Sequence, residues 1–321
     1  APEALGPGAR EYRRGIWSLE HGLGATIEER SMRGDFGTAV QLTLDGLHFA
    51  HDLPRGGDSI YWFYSVISER TVLDRVREDL IARCQDLGIL RQLLSGLTTL
   101  EGILPPFDGG LAFECVEMTA ELETALTLHQ TRDLTLFCLS PEPSPWLERA
   151  TSGHSTARRA ANWLARQRPR LLYLNPTAAV QVMQDAYRDA IERVREPTFT
   201  PPPPLPRRGV AAVMAEYLSY VEELPERRFG RLAQWRAVTT MVALRLYHLK
   251  HGRYPDSLQG LVPDYLPAVP QDPFGGAPLK YRRDGDSYVL YSLGPNLKDD
   301  GGRKGEDWGT PGSEDYVYWP E

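Results

Sequence analysis

The chain has 321 residues, long enough to bury a full core and to hold more than one structural unit. Its 36 Lys and Arg stand against 43 Asp and Glu, a net charge of −7, and no basic run is long enough to follow a phosphate backbone, so nucleic acid is not an expected partner. No stretch reaches the ~20 consecutive apolar residues of a spanning helix, and three cysteines without a Cys-x-x-Cys pair allow at most one internal disulfide.

Helical periodicity dominates the first part of the chain. Tyr12, Ile16, Leu19, Leu23 and Ile27 recur at steps of three and four, which lines one face of a helix. A second helix is predicted over Phe36–Asp52, closed by Pro54 and the Gly56-Gly57 pair. Ser59–Arg83 predicts a long third one, with Tyr64, Ile67, Val72, Val76 and Leu80 inward. Leu87–Leu104 ends at Pro105 and Pro106, and Leu111–His129 repeats the pattern. Pro141, Pro143 and Pro145 predict a loop. Asn175-Pro176 starts a further helix, with Asn as the cap and Pro in the first turn, and Val180, Met183, Tyr187, Ala190 and Val194 form its buried stripe.

The run Thr200–Pro206, four consecutive prolines within it, predicts an extended strut. Two helices are expected beyond it, Gly209–Glu223 and Phe229–His251. The second is apolar on more than one stripe and should be central. Strands are expected at Leu279–Arg282, Tyr288–Tyr291 and Tyr316–Trp319, with Gly285 supplying the tight turn between the first two. The predicted organisation is a helical domain over 1–199, a proline-rich connector over 200–208, and a C-terminal domain over 209–321. That last part holds the helices of 209–251 and a small sheet with an acidic loop over 252–321. The fold class is α+β: a mostly helical N-terminal bundle or irregular solenoid, then a long helix carrying a small antiparallel three-stranded sheet.

Familiar catalytic signatures are absent: no His-Glu-x-x-His, Gly-x-Ser-x-Gly, Walker loop or dinucleotide glycine fingerprint occurs. Asp35-Phe36-Gly37 spells a kinase tripeptide without the motifs that accompany it in a kinase. His48 with His51, and His248 with His251, sit three apart and are read as polar helix edges rather than metal ligands. Cys84, Cys115 and Cys138 are read as small buried side chains. Glu114, Glu117 and Glu121 share one helix side and are read as a solvated face, although a hydrolase could draw on them. A non-catalytic protein is expected.

Between Leu293 and Tyr316 the chain carries Asp299, Asp300, Glu306, Asp307, Glu314 and Asp315 against Lys298, Arg303 and Lys304, with six glycines and two prolines. Such a loop buries little apolar surface to offset its ordering entropy. Either an ion orders it or it is a solvated acidic turn. Calcium suits the first reading, because it takes ~6 to 8 oxygens from carboxylates, amides and backbone carbonyls in adaptable geometry. Asp299, Asp300 and Asp307 are candidates from this local chemistry.

The flanking residues carry a resemblance. His251-Gly252-Arg253-Tyr254-Pro255 follows a helix, then come Pro270 and Asp272-Pro273-Phe274-Gly275, then Tyr291-Ser292-Leu293-Gly294 and the acidic loop. This quarter of the chain resembles the C-terminal domain of the type II secretion major pseudopilins, whose small sheet packs on a long helix and whose last loop is pinned by calcium. The resemblance implies a calcium ion held by the Leu293 carbonyl, Asn296 and Asp315. Asn296 stands where the family has aspartate, keeping an amide oxygen and losing a charge. It further implies a bacterial extracytoplasmic protein associated with a secretion or pilus-type envelope machine, with a protein partner. Pseudopilins open on a membrane helix, whereas about 230 residues of other sequence stand there here, and an anchor upstream of Ala1 is one reading of that difference. A helical-repeat adaptor for peptides or proteins is the alternative from a different class.

Overall fold

A computed structural model describes residues 7–56, 59–130, 176–203, 214–302 and 315–318. In chain order the helices are α1 (Pro7–Met32), α2 (Phe36–Asp52), α3 (Ser59–Arg75), α4 (Leu87–Glu101), α5 (Phe107–Gln130), α6 (Pro176–Arg195) and α7 (Ala215–His251). The strands are β1 (Lys280–Asp284), β2 (Ser287–Ser292) and β3 (Tyr316–Tyr318), forming one antiparallel sheet in the order β1-β2-β3. The expected α+β class, mostly helical with a small three-stranded sheet, is what the chain adopts.

Local chemistry explains several boundaries. The Asp35 carboxylate accepts from the Thr38 amide at 3.3 Å and caps α2, while Asp86 caps α4 by accepting from Gly88 and Ile89 at 2.7 and 3.1 Å. The predicted third helix continues beyond α3 as a π-helical segment, Val76–Ile81. Two helices were expected across 209–251, but Ala215–His251 is one helix with Pro225 inside it. Proline removes one helical donor, yet Leu218, Val221 and Leu224 before it and Phe229 and Ala233 after it are buried, so packing on both sides keeps the backbone helical.

The chain divides into two compact units. The first takes Ala1–Arg14, Leu111–Glu192 and Pro202–Leu224, and its helices bury Leu111, Met118, Met183, Tyr187, Leu218 and Val221. The second takes Gly15–Gly110, Arg193–Pro201 and Pro225–Glu321, and holds the sheet.

One core runs through the second unit. It joins Val40 and Leu47 of α2, Val72 of α3, Leu90, Leu93 and Leu97 of α4, Trp235, Met241 and Val242 of α7, and Leu290 and Tyr318 of the sheet. Burying each such side chain contributes about 1.5–3 kcal/mol. Gly96 of α4 leaves no room for a Cβ against Leu44 of α2, so those two helices meet closely there. Trp235 donates its indole N–H to the Leu97 carbonyl at 3.2 Å, and Arg236 bridges Glu101 at 3.0 Å and the Gln271 carbonyl at 2.8 Å. The helices and the sheet segment are thereby locked to one another. Phe199, next to the proline strut, stacks edge-on with Phe229 and Phe274 at 5.7 and 5.1 Å, and its amide donates to the Pro273 carbonyl at 2.8 Å.

A polar group sits inside this core. Glu69 of α3, Arg231 of α7 and His51 of α2 are 1%, 9% and 5% exposed. Arg231 chelates Glu69 through Nε and Nη2, and His51 Nε2 lies 2.8 Å from Glu69 Oε1. Burial pushes the Glu69 carboxyl up, but Arg231 and His51 outweigh it and hold the group below the usual carboxylate range. His51 is therefore a core residue, not part of a polar helix edge.

Candidate metal centre

The acidic loop leaves β2 at Ser292 and returns to β3 at Tyr316, and these two residues face each other in the antiparallel register. The hairpin that precedes it turns on Gly285 at φ +59°, as the Asp284-Gly285 pair predicts. Asp272 anchors the loop's departure. Buried to 2% exposure, its Oδ1 accepts from the Phe274 amide at 3.0 Å and the Ser292 hydroxyl at 2.7 Å, and its Oδ2 from the Leu293 amide at 2.8 Å. In the sequence Asp272 stands out only as part of the Asp272-Pro273-Phe274-Gly275 motif. A carboxylate set between two prolines' worth of turn and followed by glycine was the available signal for such a clamp.

Asp315, one residue ahead of β3, is 4% exposed. Its Oδ2 accepts from the Gly302 amide at 2.8 Å, whereas Oδ1, also buried, has no donor among the described residues. Burial pushes this carboxyl up, the Gly302 and Asp300 amides pull it down, and the charges of Asp300 and Asp299 push it up again. Gly302 makes the approach possible. It has φ +68°, and a Cβ there would lie 2.9 Å from Val289 and Tyr291 of β2.

The remaining candidates are placed as follows. Asn296 donates Nδ2 to Asp300 Oδ2 at 2.8 Å and accepts from the Lys298 amide through Oδ1, also at 2.8 Å. Asn296, Asp300 and Asp315 thus form one linked group. Asp299 is engaged by other partners: the Tyr291 hydroxyl at 2.9 Å, the Gly301 amide at 3.1 Å and Lys280 at 3.2 Å. The Tyr291 hydrogen bond is the main cause of its lowered pKa, and in turn burial and Asp299 push the Tyr291 phenol up to about 12. Leu293 is held at the loop's head by Asp272. Asp307 lies outside the described residues.

Among the described residues, no three acidic, imidazole or thiol side chains converge as a metal cluster. What the loop offers is different: two carboxylates, one amide oxygen and backbone carbonyls, the donor set of a hard cation rather than of zinc. The fit rests on Asp315. A buried carboxylate oxygen without a donor is costly, and a cation beside it would reverse that cost.

The other chemically suggestive residues do not assemble. His48 is exposed while its neighbour His51 is buried on Glu69. His248 stacks on Tyr254 at 4.5 Å and His251 on Tyr247 at 4.2 Å, so neither pair converges on one ion. Cys84 is buried and Cys115 half-buried, and burial raises both thiols. Cys138 lies outside the described residues. No described helix is long and apolar enough to cross a membrane. Comparison of the chain with protein-family models, with curated proteins and with solved structures finds no match.

Proposed function

We propose that this is a non-catalytic, extracytoplasmic protein whose C-terminal part is a calcium-stabilised, pseudopilin-like module serving a secretion or pilus-type envelope machine. The observation that carries the reading is Asp315, 4% exposed with Oδ1 lacking a donor among the described residues. Calcium held by Asp315, Asp300, Asn296 and the Leu293 carbonyl supplies the missing positive charge and ties the loop's two ends together. Extracellular modules of this kind bind at about 0.1–1 mM, which matches compartments where calcium is plentiful. The order of helix, Tyr254-Pro255 turn, Asp272 clamp, hairpin and returning strand supports the kinship with pseudopilins. A protein partner is expected on the helical surface.

Thermal unfolding with calcium and with chelator tests this. At 10 mM calcium the ion stabilises by about 1.4–2.7 kcal/mol for those affinities, or roughly 3–10 °C for a unit of about 200 residues. Asp315→Asn should abolish the shift. An equal shift in that variant, or none in the parent, would remove the calcium reading.

A further inference from the structure

A pocket of about 280 Å³ opens in the second unit. Leu104, Pro105, Pro106, Phe107 and Leu232 give it apolar walls, and three arginines, Arg195, Arg228 and Arg231, line it against a single carboxylate, Asp108. The acids here are already taken. Asp108 Oδ2 accepts from Arg195 Nε at 2.9 Å and Oδ1 from the Gly109 amide at 3.0 Å. Glu69, behind the wall, is filled by Arg231 and His51.

The cations are not all satisfied. Arg231 spends Nε and Nη2 on Glu69, leaving Nη1 without an acceptor among the described residues. Among the described residues Arg228 reaches only the Glu196 carbonyl, at a long 3.4 Å, and lies 4.4 Å over the Phe229 ring. Burial lowers the Arg228 pKa, and its charged neighbours Arg236 and Arg231 lower it further by repulsion. Among the described residues, three arginines against Asp108 and Glu69 leave one positive charge uncompensated. Phe107 and Asp108 open the 24-residue helix α5, so the positive end of that helix stands at the same wall.

We propose that this pocket binds a monocarboxylate carrying a short branched apolar body, with Arg228 as its ion partner and Arg231 Nη1 as a second donor. The excess of one charge selects a monoanion over a phosphate dianion, and arginine suits the planar carboxylate. Leu104, Pro106 and Leu232 receive the apolar body. Two sources share this chemistry: a free small acid, and the terminal carboxylate of a peptide ending in an aliphatic residue.

Calorimetric titration of the full chain distinguishes them, using 4-methylpentanoate and N-acetyl-glycyl-leucine, each beside its neutral amide. The expected result is saturable binding of at least one acid, with its amide weaker by about tenfold or more. Tighter binding of the peptide acid identifies a chain terminus as the ligand, and tighter binding of the small acid a metabolite. Arg228→Gln should weaken the acid about tenfold, and Leu232→Trp, which fills the pocket without removing a charge, should abolish binding even if Arg228→Gln folds poorly. Equal binding of acid and amide, no saturable binding of either acid, or full binding by a folded Leu232→Trp variant overturns the proposal.

Discussion

Removing Arg231 should be among the most damaging single changes in the second unit. Glu69 is 1% exposed and receives both Arg231 Nε and Nη2, so Arg231→Met would leave a buried carboxylate facing only His51 at 2.8 Å. Breaking a buried pair from one side costs about 3–5 kcal/mol, because the remaining charge is stranded. At about 2–4 °C per kcal/mol for a unit of this size, the unfolding midpoint should fall by roughly 6–20 °C. Replacing both partners, Glu69→Gln with Arg231→Met, should cost clearly less than the two single changes added together. Urea unfolding of the four proteins at pH 7 measures this cycle. The pH dependence has a definite sign: the folded Glu69 pKa is depressed, so its contribution is present above the unfolded value near ~4.3 and is lost as pH falls. In Arg231→Met that acid limb should move to higher pH. A loss below about 1 kcal/mol, or strict additivity in the cycle, would refute the assignment of this ion pair as a buried, coupled unit.

Asp315 should behave in the opposite sense. Its folded pKa is raised, so without calcium stability should decline as pH rises through the range above the unfolded value near ~3.9, and Asp315→Asn should flatten that decline in a pH series of melting curves. Asp272→Ala removes the acceptor of three hydrogen bonds and should cost about 2–4 kcal/mol, read as a lowered urea midpoint. Gly302→Ala combines a left-handed backbone with a 2.9 Å contact to Val289 and Tyr291, and should cost about 1–3 kcal/mol and blunt the calcium response. An unchanged melting curve for Gly302→Ala would mean that the loop does not pack on β2.

Elements with a local signature were legible in the sequence. The range of α2 was legible because Pro54 with the glycine pair closes it, whereas the Asp35 cap that opens it shows only in the structure. The hairpin followed from Gly285, the one residue able to take φ +59° cheaply there. The break expected between Glu223 and Phe229 does not occur, because burial on both sides of Pro225, invisible in the sequence, outweighs proline's local penalty. The Glu69–Arg231 pair was invisible for another reason. Its members are 162 residues apart, and no periodicity within either helix marks which charged residue turns inward. The candidate loop was legible as an acidic, glycine-rich stretch, but not the division of labour within it: Asp299 goes to Tyr291 and Lys280, while Asp315 turns into the interior.

Asp315 differs from the other buried carboxylates among the described residues: Asp79 is paired with Arg75 at 3.3 Å and Arg83 at 3.6 Å. Glu69 receives Arg231 on both oxygens, with His51 Nε2 2.8 Å from Oε1, and Asp272 receives three donors from its own neighbourhood. In Glu69 and Asp272 each carboxylate oxygen thus has a donor. Asp315 is as deeply buried as they are, yet among the described residues only one of its oxygens has a donor and the charges acting on it are two further aspartates. A group so placed weakens the fold unless something positive joins it. The same reasoning with the sign reversed applies to Arg228, a half-buried cation whose charged neighbours are arginines. In both places the donors and acceptors of the described residues stop one partner short, and the sign of the unmet charge, negative at Asp315 and positive at Arg228, calls for a cation at the first and an anion at the second.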